Sequence, residues 1–306
     1  MDLPLINGQG PASGAISPLR ELGAYEALWL KPKASFRTLA RQFAASPGSL
    51  PSDFVPPTEA NNAYREVRAV LEAQEVASFG VRIHGSGDYT RKLRDACEPV
   101  ELLYYRGTWE LAYQKAVSIV GTRKPSQDGK ARAKRLAQLL AAAGYAIVSG
   151  LAEGIDTVAH ETAIGAGGRT IAVIGTPIGR VYPRANARLQ EEIAARHLLI
   201  SQVPILHYER NNSRNPVSNR WFFPERNKTM SALTRATIIV EAGETSGTLT
   251  QARAALRQGR RLLLLDSLFG RQDLKWPQKF VERGAVRVRT EQEILDALAD
   301  SQAHAA

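Results

Sequence analysis

The sequence predicts an α/β protein: a mostly parallel sheet with helices on both faces, preceded by a small helical N-terminal unit. Three observations carry that expectation. Short continuous apolar runs rich in Val, Ile and Leu recur from about Val117 onward. Helical patterns lie between them, and small-residue turns join strand ends to helix starts. Strands that are apolar throughout, rather than alternating, are buried on both faces, as in a parallel sheet covered by helices.

Taken in order, residues 1–18 are rich in Gly, Pro and Ser and are expected to be disordered. From Arg20 to about Phe43 the pattern is helical, with Leu22, Tyr25, Leu28 and Trp29 in phase, then Phe36, Leu39 and Phe43 after Pro32. Ser46 to Pro57 is broken by Pro47, Pro51, Pro56 and Pro57 and reads as a loop. Asn61 to Glu75 reads as another helix, so residues 19–75 form the helical unit and 76–300 the α/β domain. Within that domain the expected strands are Val117–Val120, Ala146–Ser149, Thr170–Ile174, Leu198–Gln202, Thr237–Glu241 and Arg261–Leu265. The expected helices are Gly129–Ala143, Ile155–Ala166, Ala187–Ala195 and Thr248–Gln258. The long polar segment from Val203 to Trp221 has no assigned element.

The chain has 306 residues, 44% of them hydrophobic and 23% charged, which excludes a mostly disordered protein. Cys97 is the only cysteine, so an intrachain disulfide is impossible and a cysteine-based zinc site is not expected. No apolar run approaches the roughly 20 residues that span a bilayer. Residues 1–14 lack a basic segment followed by an apolar one. These features predict a soluble, cytoplasmic protein with no membrane partner. Lys and Arg number 40 against 30 Asp and Glu, for a net charge of +10. Two clusters concentrate the charge. Lys115, Arg123, Lys124, Lys130, Arg132, Lys134 and Arg135 are opposed only by Asp128. Arg210, Arg214, Arg220, Arg226, Lys228 and Arg235 are opposed only by Glu225 and are interleaved with Trp221, Phe222 and Phe223. Cations beside aromatics suit single-stranded nucleic acid, whose bases stack while its phosphates are neutralised. Core aromatics with solvated cations are the competing explanation.

Three strand ends have the composition of phosphate sites. Gly121-Thr122-Arg123 follows the first parallel strand, and Arg123 offers a fixed positive fork. Ser149 and Gly150 open a second loop that runs through Gly154 to Asp156, with His160 behind it. Glu241 opens a third, which reaches a helix start at Ser246-Gly247-Thr248. In an open α/β sheet such loops converge at the carboxyl edge, where ligands bind. Each is weak alone, since a glycine after a strand is more often a plain turn. Neither a Walker loop nor the dinucleotide glycine fingerprint is present. No closely spaced His pair, nucleophile elbow or deaminase set occurs, so neither a catalytic residue nor a metal or other cofactor is expected. Glu153, Asp156, Glu241 and Glu244 are read as capping or ion-pairing groups in preference to acid–base catalysts.

Taken together these segments resemble the DNA-processing protein A family (DprA, also called Smf). The resemblance runs from about Phe79 to Ala285. It includes Gly121-Thr122-Arg123, the Ser149–Asp156 block with Ala159-His160, Val181-Tyr182-Pro183, Phe223-Pro224-Glu225-Arg226-Asn227-Lys228 and the Ser246–Ala252 segment. It implies an extended Rossmann-like domain that binds single-stranded DNA without sequence specificity, forms a homodimer and helps load RecA-type recombinase during recombination or natural transformation. It places Arg123 and Phe223 to Asn227 in a DNA pocket flanked by Arg180 to Asn186. Lys228 stands where the family usually has Arg, and Leu265-Asp266-Ser267 where it usually has Pro-Gly. A diverged branch without the family's C-terminal winged-helix domain is the expectation. The rival is a small-nucleotide sensor or a phosphoribohydrolase-like enzyme of the same broad fold. Those hydrolases carry a glutamate soon after a Gly-Thr pair, whereas here Gly247-Thr248 is followed by Leu249, Thr250 and Gln251.

Overall fold

The computed structural model describes residues 16–299. Residues 1–15 of the segment expected to be disordered lie outside that range; of the remainder, Pro18 already opens a helix. The chain begins with α1 (Pro18–Trp29), α2 (Phe36–Ala44) and α3 (Pro57–Ala73), then β1 (Gly80–Ile83), α4 (Arg91–Arg94) and β2 (Leu102–Gly107). A strictly alternating stretch follows: β3 (Ala116–Val120), α5 (Gln127–Ala142), β4 (Ala146–Ser149), α6 (Ile155–Gly165), β5 (Thr170–Ile174), α7 (Ala187–Arg196) and β6 (Leu198–Ser201). Next come α8 (Ile205–Arg214) and α9 (Phe222–Leu233), then β7 (Ala236–Ile239), α10 (Thr248–Arg257), β8 (Arg261–Leu265), α11 (Trp276–Val281), β9 (Val286–Val288) and α12 (Glu291–Ala299).

The strands form one sheet in the order β1-β2-β6-β5-β4-β3-β7-β8-β9. From β6 to β9 every pairing is parallel, and β2 and β1 add an antiparallel edge. The fold class is the one expected. Every residue of β3, β4, β5, β6 and β7 is buried, which is why these strands read as unbroken apolar runs. On one face α5, α6 and α12 cover Ile119, Ile147, Ile238 and Leu263. On the other, α9 and α10 cover Val120, Val148 and Leu264, and this second core continues without a break into Leu22, Trp29, Phe36 and Leu71 of the N-terminal helices. Among the described residues, no helix is long and apolar enough to cross a membrane.

The strand order creates the place where a ligand can sit. From β3 the chain winds outward through β4, β5 and β6, then returns to lay β7 against the other side of β3. Val120 pairs with Ile239, and the ladder runs on through Val240 N to Val120 O (3.1 Å) and Thr122 N to Glu241 O (2.7 Å). Beyond it the two chains separate toward opposite connections, which is the topological switch point of a doubly wound sheet.

Most core elements match their expected limits to within two residues; α3 starts earlier than expected, at Pro57. Pro57 stands where its missing N–H costs nothing, so the Pro-Pro pair starts a helix instead of ending a loop. The unassigned segment from Val203 to Trp221 folds into α8 and a 3₁₀ turn, Pro216–Trp221. Glu26 of α1, fully buried, explains why it docks. Its carboxylate accepts the amides of Ile205 (2.7 Å) and Leu206 (3.0 Å) at the start of α8, and a short hydrogen bond from the Tyr104 hydroxyl. An acid at a helix N-terminus satisfies orphan donors and faces the positive end of the dipole. Glu209 on the same helix accepts from Gln74 of the α3 C-cap and from Arg180.

Burial raises the Glu26 pKa from 4.5 to about 7, against the opposing effect of its three donors. The folded protein therefore holds this proton where the unfolded chain has released it. Stability from this group is greatest below about pH 4.5 and falls as pH rises to about 7. Urea unfolding of wild type and Glu26→Gln across that window should show the wild type losing stability that the variant keeps. Glu26→Ala should cost about 3 kcal/mol or more, because three buried donors lose their acceptor.

Candidate nucleic-acid interface

A cavity of about 630 Å³ opens at the switch point. Its walls come from the three strand-end loops and from α9. The β3 loop contributes Gly121, Thr122, Arg123 and Lys124, and the β7 loop contributes Gly243, Thr245, Ser246 and Gly247. Thr248, the first residue of α10, lines it too, so the positive end of that helix lies on the cavity wall. From α9 come Phe223, Arg226 and Asn227. Arg123 and Lys124 are exposed and bring net positive charge to the mouth.

Local bonds fix these loops. Thr248 Oγ1 donates to Gly121 O (3.3 Å), joining the β3 loop to the start of α10. Ser246 Oγ accepts from Thr248 N (3.2 Å), and Asn227 Nδ2 reaches Gly247 O at 3.4 Å. Gly154 has φ +83° and ψ −123°, a conformation reserved for glycine, and a β-carbon there would lie 2.5 Å from Thr122 O. Gly175 has the opposite neighbour: a β-carbon would meet the Phe223 ring at 2.6 Å, so its absence lets that ring lie on the turn after β5. Tyr182, 48% exposed, packs its ring 5.4 Å from that of Phe223.

The floor is charged and largely buried. Arg226 is buried, and its Nη1 donates to Gly150 O (2.5 Å) and, through a short bond, to Val173 O. Its Nε donates to Asn227 Oδ1 (3.0 Å). Asp156, also buried, accepts the amides of Gly150 (3.1 Å) and Ala152 (3.4 Å). Desolvation lowers the Arg226 pKa to about 10 and raises that of Asp156, while each charge favours the ionised form of the other. The guanidinium therefore stays protonated at neutral pH and ties the ends of β4 and β5 to α9.

Of the thirteen positions that the sequence assigns to DNA or phosphate, nine line this cavity: Gly121, Thr122, Arg123, Phe223, Arg226, Asn227, Ser246, Gly247 and Thr248. Ser149 and Gly150 lie behind it. Ser149 Oγ donates to Ile119 O (2.7 Å), and the space beside Gly150 is filled by the Arg226 guanidinium. Arg180 and Lys228 are turned elsewhere. Arg180 forks onto Glu209 of α8, with Nε to Oε1 at 2.8 Å. Lys228 is held between Glu98 (2.8 Å) and Glu225 (2.9 Å), because the α9 turn that points Phe223 and Asn227 inward sends position 228 to the opposite side. Of the residues assigned to pocket structure, Glu241 accepts from Ser126 N (3.1 Å) and Oγ (2.7 Å) at the start of α5. His160 is buried with Nδ1 2.6 Å from Thr170 Oγ1. Since that hydroxyl donates to Ile147 O (2.8 Å), the histidine nitrogen is the donor, and desolvation lowers its pKa to about 3, leaving it neutral. Glu244, which the sequence weighs as an acid–base group, accepts from Lys275 N (2.8 Å). Lys124, Thr245 and Met230 also line the cavity without being singled out. The first follows Arg123 inside the basic cluster; Met230 carries no signal, since a helical methionine reads as core. Among the described residues, no group of three or more His, Cys, Asp or Glu is placed to hold a metal ion.

The family model described as DNA recombination-mediator protein A matches residues 80–299. The chain belongs to that family. The DNA processing protein DprA of Bacillus subtilis is 31% identical over 241 residues, 78% of each chain. The structure of DNA processing protein A from Streptococcus pneumoniae superposes with a TM-score of 0.65 at 27% identity, covering 91% of this chain and 95% of that one. A structure of DNA processing protein A from Helicobacter pylori, concerned with its single-stranded DNA binding mode, gives 0.60 at 26% identity over 73% of this chain and 96% of that one. The chain spans about half the length of the Smf protein of Synechocystis sp., 52% of which it covers. This is a DprA-type protein with the DprA-type fold.

Arg226→Ala should destabilise the fold by about 3 kcal/mol or more in urea unfolding, since the buried Gly150 and Val173 carbonyls lose their donor and Asp156 loses the nearby charge that favours its ionised form. Adding Asp156→Asn should recover part of that loss. Gly154→Ala should cost at least about 1–3 kcal/mol in the same assay.

Proposed function

We propose that the protein binds single-stranded DNA without sequence preference in the switch-point cavity, acting in the cytoplasm as a non-enzymatic homodimer that presents the strand to a RecA-type recombinase. The observation that carries the reading is the joining, in one cavity, of exposed cations, a helix N-terminus and an aromatic shelf. Arg123, Lys124 and the start of α10 suit phosphates, and Phe223 with Tyr182 suits stacked bases. Stacking and phosphate contacts are indifferent to base identity, which accounts for the lack of sequence preference. The DNA-binding relative from Helicobacter pylori supports the ligand class. The recombinase and the homodimer rest on family membership.

A cavity of about 630 Å³ also falls in the size range of small-molecule sites, which keeps a nucleotide sensor as the second reading. Hydrolysis is disfavoured by geometry. The Glu241 carboxylate is engaged at Ser126 and that of Glu244 at Lys275; Asp156 lines the floor but is occupied by two amides, and the exposed Glu153 lines the adjoining cavity instead of this one.

Fluorescence anisotropy of labelled oligo-dT should show binding that weakens as salt rises. Arg123→Ala should lower the log–log salt slope by about 0.7, one single-strand phosphate contact. Phe223→Ala should cost about 1–3 kcal/mol of affinity with little change in slope. Absence of oligonucleotide binding, with release of a free base from a nucleoside monophosphate, would establish the enzyme reading instead.

A further inference from the structure

The basic cluster of the α5 region extends well past the switch-point cavity. A second cavity of about 370 Å³ adjoins the first and shares Arg123 and Lys124 with it. A third, of about 670 Å³, lies in the groove between α5 and α6 and shares Lys130 and Val158 with the second. The three are therefore consecutive along one path. On α5 the third is lined by Gln127, Lys130, Ala131, Lys134 and Gln138, which fall on one stripe of the helix. Lys124, Lys130 and Lys134 are exposed, and none has an ion pair among those formed by the described residues. Carboxylates are also present: Glu153 lines the second cavity and Glu161 the third. Four cations against two anions leave the path positive.

We propose that the strand held in the switch-point cavity continues along the α5–α6 groove, with Lys130 and Lys134 as successive phosphate contacts. This rests on the binding reading above and extends it to the path of the polynucleotide. Lys130 and Lys134 lie about one helical turn apart, ~6 Å along the axis, a step that an extended single strand can match. Glutamines at both ends of the stripe offer hydrogen bonds without adding charge. Continuity selects the occupant: a polyanion leaving the first cavity past Arg123 meets cations at each opening along this path and an acidic residue in each of the two further cavities.

The test compares labelled oligo-dT of about 6 nucleotides, enough for the first cavity, with one of about 20. Wild type, Arg123→Ala, Lys130→Gln/Lys134→Gln and Lys130→Arg/Lys134→Arg are titrated at several salt concentrations. The expected result is that wild type gains affinity on lengthening. The double Gln variant should bind the short strand as wild type does, lose the gain on the order of tenfold near 0.1 M salt, and show a long-strand salt slope smaller by about 1.4. The double Arg variant should keep the gain. If the double Gln variant matches wild type on both strands, or weakens both equally, the groove is not the path, while Arg123→Ala still reports on the first cavity. If wild type binds neither strand, both readings fall.

Discussion

Everything at the switch point depends on one buried cation. Arg226 sits beneath the cavity and holds the carbonyl ends of two adjacent strands at once, with Asp156 nearby to offset its charge. Removing a guanidinium from water is costly, and the cost is tolerable only because carbonyls, an amide and a carboxylate surround it. The arrangement fixes α9 against β4 and β5. Phe223 and Asn227, on the same helix, inherit their positions from it. A largely buried charge thus sets the shape of the cavity above it.

A second division of labour separates the acidic residues. Glu241, at the end of β7, is turned to the start of α5 and leaves the space near Gly121 free of negative charge. Glu98 and Glu225 neutralise Lys228 on the far side of α9. Glu241, Glu98 and Glu225 are thereby occupied with backbone or with other cations, and at the mouth the exposed charges of Arg123 and Lys124 outnumber the exposed carboxylate beside them, Glu153.

The parallel strands were legible in the sequence because complete burial leaves continuous apolar runs, and the three loops because tight strand-to-helix turns demand small residues. What could not be read was direction. Arg180 and Lys228 have the same composition signal as Arg123, but a side chain's neighbours are set by tertiary packing: Glu209 and Glu98 come from remote parts of the chain. The α8 segment stayed unread for a related reason. Its surface is polar, and what anchors it is Glu26, a buried acid of α1 whose partners, two backbone amides and the Tyr104 hydroxyl, are remote in sequence. The strands β1 and β9 lie at the two edges of the sheet and include the part-exposed Arg82, Val286 and Arg287, so they lack the continuous apolar run of a strand buried on both faces.

The position of β3 also bears on how the protein is made. Its parallel partner β7 is translated only after six intervening elements of the α/β wind and two further helices have emerged, since Val117 pairs with Ala236. Contacts so distant in sequence close late, after the entropy of a long loop has been overcome. On the ribosome the growing chain would pass through a stage in which β4 to β6 are stacked on β3 while its other edge stands bare. The switch-point cavity then lacks the wall supplied by Gly243 to Thr248, so it takes shape only once the second half of the sheet has been laid against the first.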